Sequence, residues 1–198
     1  MSLSIFYTPD GHRRFASEEG ISISAAYKAG VAALVDEIIE PTINEYSIDR
    51  LDIFCLSNRN LINREAGELD DWLTVGMELL DQVVEHCSTF ANIATVGSYL
   101  PNNLSLIRSP DAPTVRFFIG NSIEDTEDIR PVDIFIRSGG QMRLSGAPRA
   151  LLGDDTEICS IPTLHPRIKF REMRAVIDAY HARYIRYSDS NLSRRIKL

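Results

Sequence analysis

The stretch Pro131-Val132-Asp133-Ile134-Phe135-Ile136-Arg137-Ser138-Gly139-Gly140-Gln141-Met142-Arg143-Leu144-Ser145 constrains the fold more than any other. After Pro131 a short apolar run reads as a buried strand. Arg137 ends it, a Gly-Gly turn follows, and Arg143 and Ser145 come next. This order places two guanidiniums and a hydroxyl beside backbone that a ligand can approach closely. Open α/β sheets bind ligands at that end of their strands, and converging arginines suit a phosphorylated or carboxylated ligand. A tight turn with surface arginines is the plainer alternative, and an isolated Gly-Gly would favour it.

A second motif near the N-terminus shifts the balance. Leu3 to Tyr7 predicts a short strand, and Pro9 and Gly11 then stop it and shape a loop running to Phe15. In that loop Asp10 precedes Gly11, His12, Arg13 and Arg14. A carboxylate beside cations and N–H groups is what a Mg²⁺-diphosphate needs, since the metal takes hard oxygen ligands and the phosphates take donors. Asp-Gly alone is more often only a turn.

Between and beyond these motifs the periods alternate. Ile23, Ala26, Tyr27, Gly30, Val31, Leu34, Ile38 and Ile39 follow helical spacing, with Ser22 or Ser24 as cap and Pro41 ending or kinking the helix. Leu51 to Leu56 is the next strand and delivers Ser57 and Asn60 to a loop. Strand, helix, strand predicts a βαβ unit and a parallel sheet. A long helix from Glu65 to about Thr89 carries a broad apolar stripe including Trp72 and Leu73, which core packing explains best. Further strands are predicted at Ile93–Gly97, Thr114–Ile119 and Thr156–Ile161, with 99–113 a loop and 122–130 a short acidic stretch. A C-terminal amphipathic helix starts near Phe170. From Asp189 the chain reads as a polar, basic tail, which divides it into a domain over 1–188 and a tail over 189–198.

Composition closes off several classes. With 198 residues, 44% hydrophobic and 25% charged, the chain has enough for one domain with a real core. A net charge of -7 argues against a nucleic-acid partner. No apolar run has the ~20 residues of a transmembrane helix, and no signal peptide is evident. Cys55, Cys87 and Cys159 fit free thiols of a cytoplasmic protein, and four scattered histidines give no zinc pattern.

Together the two motifs resemble one family. Asp10-Gly11-His12-Arg13-Arg14-Phe15 is similar to the first motif of the cis-prenyltransferases, the undecaprenyl diphosphate synthase group. Val132 to Ser145 resembles that family's Arg-Ser-Gly-Gly motif, a long and specific match. Lys28-Ala29-Gly30, Ser57 with Asn60, and Glu157 fall where the family has related positions. The resemblance implies a single α/β domain with a mostly parallel six-stranded sheet flanked by helices, and a homodimer. It also implies allylic diphosphate substrates such as dimethylallyl diphosphate, which an apolar tunnel receives, with Mg²⁺ as cofactor. By the same resemblance Asp10 holds Mg²⁺ on the departing diphosphate, and Gly11, His12, Arg13 and Arg14 cradle it. Arg137, Arg143 and Ser145 bind the acceptor's diphosphate, Glu157 is a second metal ligand, and Ser57 and Asn60 lie near the reacting carbons. Tyr27, Leu56, Trp72 and Leu73 would wall the tunnel.

Departures from the chain-elongating pattern are Arg13, Ile23, Ala26-Tyr27, a one-residue insertion after Ser57, Gln141, and a shortened middle segment before Pro131. Several of them are similar to the branch making irregular monoterpene diphosphates, the lavandulyl and cyclolavandulyl diphosphate synthases. That branch implies condensation of two dimethylallyl diphosphates, head to middle, into a branched or cyclic C10 diphosphate. A terpene cyclase, a regular short-chain elongase and a non-catalytic partner subunit are the alternatives. Retention of Asp10, Arg14, Arg137, Arg143 and Glu157 speaks against the last.

Overall fold

Side chains alternate between the two faces of a strand, and in this chain both sets are apolar. A computed structural model describes residues 2–58, 62, 66–97, 104–121 and 129–195, and of 66–74 and 184–195 it describes the backbone. The elements are β1 (Leu3–Thr8), α1 (His12–Glu19), α2 (Ile23–Ala33), a π-helical segment (Leu34–Ile39), α3 (Glu40–Glu45), β2 (Ile48–Ser57) and α4 (Ala66–Cys87). There follow β3 (Asn92–Val96), β4 (Ser105–Leu106), β5 (Thr114–Asn121), β6 (Ile134–Arg137), β7 (Glu157–Ser160), a 3₁₀ turn (His165–Arg167) and α5 (Phe170–Arg195).

One sheet collects all seven strands in the order β4-β3-β5-β2-β1-β6-β7. Six run parallel, and β4 is added antiparallel to β3. The seventh strand corrects the expectation of six. It lies inside 99–113, read as loop, because two residues are too few to show alternation.

Both faces of the sheet are covered, as a parallel sheet requires. Leu3, Ile5 and Tyr7, Leu51 and Ile53, Val115 and Phe117, and Ile134 and Ile136 pack in one core, which includes Ile38, Val83 and Met173 from the helices. Phe6, Phe54, Phe118 and Phe135 point the other way, one from each of four adjacent strands, and stack under Ile129, Val132, Ala147 and Leu151. Phe6 is central, with ring centroids 5.7 Å from Phe54, 5.2 Å from Phe118 and 5.3 Å from Phe135. Burying such a side chain contributes roughly 1.5–3 kcal/mol relative to leaving it in water.

Ser22 caps α2, its Oγ accepting from the Ala25 N–H at 3.2 Å. The helix does not end at Pro41. It passes through the π-helical segment and continues as α3 to Glu45, so the bonding pattern has already shifted before the missing proline N–H arrives. α1 was not expected: it starts at His12, immediately after Gly11 at φ 118°. Half of the stretch read as a loop is therefore a helix N-terminus. At the other end α5 runs to Arg195, past Asp189, where the composition suggested a tail. The acidic stretch lies outside the described residues over 122–128.

β1 is the switch point of the topology. The chain leaves it towards β2 on one side and returns on the other only at β6. The segments that follow β1 and β6 thus meet over a crevice at the carboxyl ends of the strands, where such sheets bind ligands.

Candidate active site

Thr8 and Arg137 are register partners at the ends of β1 and β6. That pairing brings the two sequence motifs together. Arg137 is 3% exposed, and its Nη2 donates to Asp10 Oδ2 at 2.7 Å while Nη1 donates to the Arg143 carbonyl at 3.0 Å. Arg14 Nη2 donates to the Gly139 carbonyl at 2.8 Å and lies 3.5 Å from the Asp10 carboxylate. Ser138 is fully buried. Its Oγ accepts from the Asp10 N–H at 2.9 Å and reaches the Asp10 carbonyl at 3.2 Å.

Gly139 sits at φ 83°, and a Cβ there would lie 2.6 Å from Arg14 Nη2. Both the backbone conformation and the approach of Arg14 therefore need glycine.

Behind this polar cluster opens a cavity of about 610 Å³. Asp10, Gly11, His12, Arg13, Arg14, Arg137, Gln141, Arg143 and Ser145 line one part of it. Tyr27, Val31 and Leu34 from the α2 side, Leu56 from β2, Leu79, Leu80 and Val83 from α4, and Phe117 and Ile119 from β5 line the apolar part. One end therefore suits an anion and the other a hydrocarbon.

Ten of the predicted site residues meet on this wall. Two do not. Ser57 is fully buried at the end of β2, beneath Gly146, whose Cβ would come within 3.0 Å of Ser57 Cβ. Asn60 lies outside the described residues, as do the side chains of Trp72 and Leu73. Glu157, expected as a second metal ligand at the acceptor's diphosphate, is displaced from this wall. It pairs with Ile134 at the start of β6, whereas Ser160 pairs with Arg137. Three residues of strand, about 10 Å, separate it from the level of Arg137, and its Oε1 accepts from Arg183 Nη1 at 2.6 Å. Spacing along the sequence could not reveal this, because the strand's register decides it.

The oxygen donors near Asp10 fit a Mg²⁺ that takes its remaining ligands from a phosphate. Among the described residues no group of three or more His, Cys, Asp or Glu side chains is arranged to hold a metal. Asp10 does supply one carboxylate, and the buried Thr8 Oγ1 and Gln141 Oε1 on the same wall have no hydrogen-bond partner among the described residues. Mg²⁺ is commonly held by one or two carboxylates together with substrate phosphates rather than by a protein cage.

Comparison with known proteins follows the same lines. No family model matches the chain. The short-chain Z-isoprenyl diphosphate synthase of Mycobacterium leprae (strain TN) is 30% identical over 152 residues, 74% of this chain and 52% of that protein. Isoprenyl transferase 2 of Tropheryma whipplei (strain Twist) is 32% identical over 139 residues, 62% of this chain and 52% of that protein. The chain thus spans about half the length of the curated relatives it matches. The crystal structure of lavandulyl diphosphate synthase from Lavandula x intermedia in complex with dimethylallyl diphosphate superposes with a TM-score of 0.74. It is 19% identical, and the match covers 90% of this chain and 94% of that one. By sequence the chain is similar to isoprenyl transferases, and by fold to lavandulyl diphosphate synthase. Within that cis-prenyltransferase fold, both motifs lie on the wall of one cavity.

Sequence reasoning missed His165, which also lines the cavity. Its buried ring lies 5.3 Å from that of His12, and His12 in turn lies 5.3 Å from Tyr27. Apart from His12, the histidines were weighed only as a zinc pattern, and no motif flags a lone His-Pro pair. The role of Gly30 was missed too. A Cβ there would sit 2.2 Å from His12 Nε2, so the glycine makes room for that ring. Gly30→Ala gains up to about 1 kcal/mol of helix propensity. We expect it to melt near the wild-type temperature while the His12 ring resonances shift, which NMR of the two proteins checks.

No helix among the described residues is long and apolar enough to cross a membrane.

Proposed function

We propose that the chain is a short-chain prenyl diphosphate synthase that joins two dimethylallyl diphosphates head to middle, giving a branched or cyclic C10 diphosphate such as lavandulyl or cyclolavandulyl diphosphate. One observation carries the reading. The Asp10–Arg137 pair and its arginine neighbours share a cavity with an apolar wall, in the fold of an enzyme solved with dimethylallyl diphosphate.

In this reading Gly11, His12, Arg13 and Arg14 hold the departing diphosphate, with Asp10 carrying Mg²⁺ beside it. Mg²⁺, when bound, supplies positive charge to the oxygens of the leaving group. Arg137, Arg143 and Ser145 bind the second diphosphate, and the resemblance assigns Ser57 and Asn60 to the neighbourhood of the reacting carbons. Glu157, held by Arg183, is not assigned to the metal. As the allylic C–O bond lengthens, negative charge grows on the diphosphate, and fixed guanidiniums stabilise it more in the transition state than in the ground state. The apolar wall of Tyr27, Leu56, Leu79 and Ile119 keeps water from the electron-poor carbon. The homodimer implied by the resemblance belongs to the same proposal.

A regular short-chain elongase is the second reading, and the cavity itself favours it. Its wall extends from Tyr27 to Leu34, seven residues or about 10 Å along the helix, so Tyr27 alone does not close it. The test is incubation of the purified chain with dimethylallyl diphosphate and Mg²⁺, first alone and then with isopentenyl diphosphate, followed by mass analysis of the dephosphorylated products. We expect a C10 product from dimethylallyl diphosphate alone. A strict need for isopentenyl diphosphate moves the assignment to the elongase, and no product in either mixture rejects both.

A further inference from the structure

His165 lies outside both motifs, at the first position of the 3₁₀ turn, and is 1% exposed. Its Nε2 is 2.8 Å from the Gly30 carbonyl oxygen and its Nδ1 is 2.8 Å from the Tyr7 hydroxyl. A carbonyl only accepts, so Nε2 carries the proton and Nδ1 accepts from the tyrosine. Burial, and secondly His12 beside it, hold the His165 pKa well below the usual histidine value, so the ring is neutral. Its backbone N–H donates to the Asp10 carbonyl at 2.9 Å. One residue therefore ties the end of β1, the Asp10 loop and α2 to each other.

Gly30 marks a particular place in α2. The Leu34 N–H is shared between the carbonyls of Gly30 and Val31, and Leu34 opens the π-helical segment. Within that segment the Glu40 N–H reaches back five residues to the Val35 carbonyl. Such π segments are uncommon inside helices and are frequent at functional sites. Tyr27 and Val31 line the cavity from before the change of register, and Leu34 from the residue where it begins. A shift of register by one residue turns the following side chains by roughly 100°, enough to take Leu34 off the wall.

We infer that His165 is a positioning residue for the hydrocarbon part of the cavity: its bond to the Gly30 carbonyl fixes where α2 passes into the π-helical segment, and so fixes the wall formed by Tyr27, Val31 and Leu34. The inference rests on the prenyl-transfer reading above. His165 acts through Gly30 and Tyr7.

The test uses the full chain and two variants. His165→Phe keeps a ring and loses both hydrogen bonds, and His165→Gln keeps a donor able to reach Gly30. Thermal melting confirms folding. Hydrogen–deuterium exchange of peptides spanning 30–39 reads the helix directly. Steady-state kinetics with dimethylallyl diphosphate read KM against kcat.

In His165→Phe we expect exchange across 30–39 to quicken about tenfold, the effect of losing a neutral hydrogen bond or two. We expect KM to rise by a similar factor with kcat little changed, and His165→Gln to recover most of both. Wild-type exchange and KM in His165→Phe, or a glutamine variant no better than phenylalanine, overturns the inference. Should His165→Phe not fold, Tyr7→Phe removes the hydroxyl that orients the ring, and faster exchange across 30–39 is expected there too. If the wild-type chain turns over no allylic diphosphate, the prenyl-transfer reading fails, and the exchange data still decide whether His165 holds α2.

Discussion

On the prenyl-transfer proposal, Asp10→Asn is expected to yield a folded protein whose turnover of allylic diphosphate falls about 10²–10³-fold, the range seen when one preorganised group at developing charge is lost. The substitution preserves shape and removes the charge. Arg137 Nη1 keeps its bond to the Arg143 carbonyl, and Ser138 keeps its hold on the Asp10 backbone. The Asp10 side chain is 27% exposed, so its desolvation is incomplete, and the melting temperature should move by only a few degrees, on the order of 1 kcal/mol. Turnover and a melting curve on the same preparation separate the two effects. Full activity in the variant, or wild-type activity that survives EDTA, rejects the proposed metal–diphosphate arrangement.

The largest effect on stability is expected on the opposite face of the sheet. Asp52 is fully buried between two arginines. It accepts from Arg50 Nε at 3.0 Å and from Arg116 Nε and Nη2 at 2.7 and 2.8 Å. Burial pulls the Arg50 pKa below its usual value, and Asp52 opposes that pull. Asp52→Ala removes the buried carboxylate that both guanidiniums share, and breaking a buried pair in this way costs about 3–5 kcal/mol. Urea unfolding should show a lower midpoint with an unchanged slope. Converting Asp52 to leucine together with Arg50 and Arg116 to methionine should restore part of the loss. Recovery stays partial because Arg50 Nη2 also serves the carbonyls of Arg130 and Pro131 at 2.9 and 3.2 Å. An Asp52→Ala midpoint at the wild-type value would show that the cluster contributes nothing.

How much of this was legible in the sequence depended on whether the signal was local. The strands at Leu3, Leu51, Thr114 and Pro131 could be read because apolar, β-branched and aromatic runs ended at Gly, Pro or Arg. Asp10 and Arg137 could each be singled out because both motifs bear glycine next to charge, but their ion pair is visible only in the structure. Neither Glu157 nor His165 had such a signal. Glu157 has the residue type of a ligand, and only the register of β7 on β6 shows that it faces Arg183. The function of His165 depends on a carbonyl 135 residues earlier, and a backbone acceptor leaves no mark in the sequence. The buried Asp52 cluster was equally silent, because an aspartate within an apolar strand does not declare which arginines will surround it.

The central place of β1 has a consequence for how the molecule assembles. Leu3 pairs with Ile48, and Ile5 pairs with both Leu51 and Ile134. β1 therefore waits for β2 on one edge and much longer for β6 on the other. Closing so long a loop has to precede the contacts that reward it, which makes folding slow for a domain of this size. Until residues 134–137 arrive, the Phe6 face and one edge of β1 stay open. That open edge is an aggregation liability of the nascent chain.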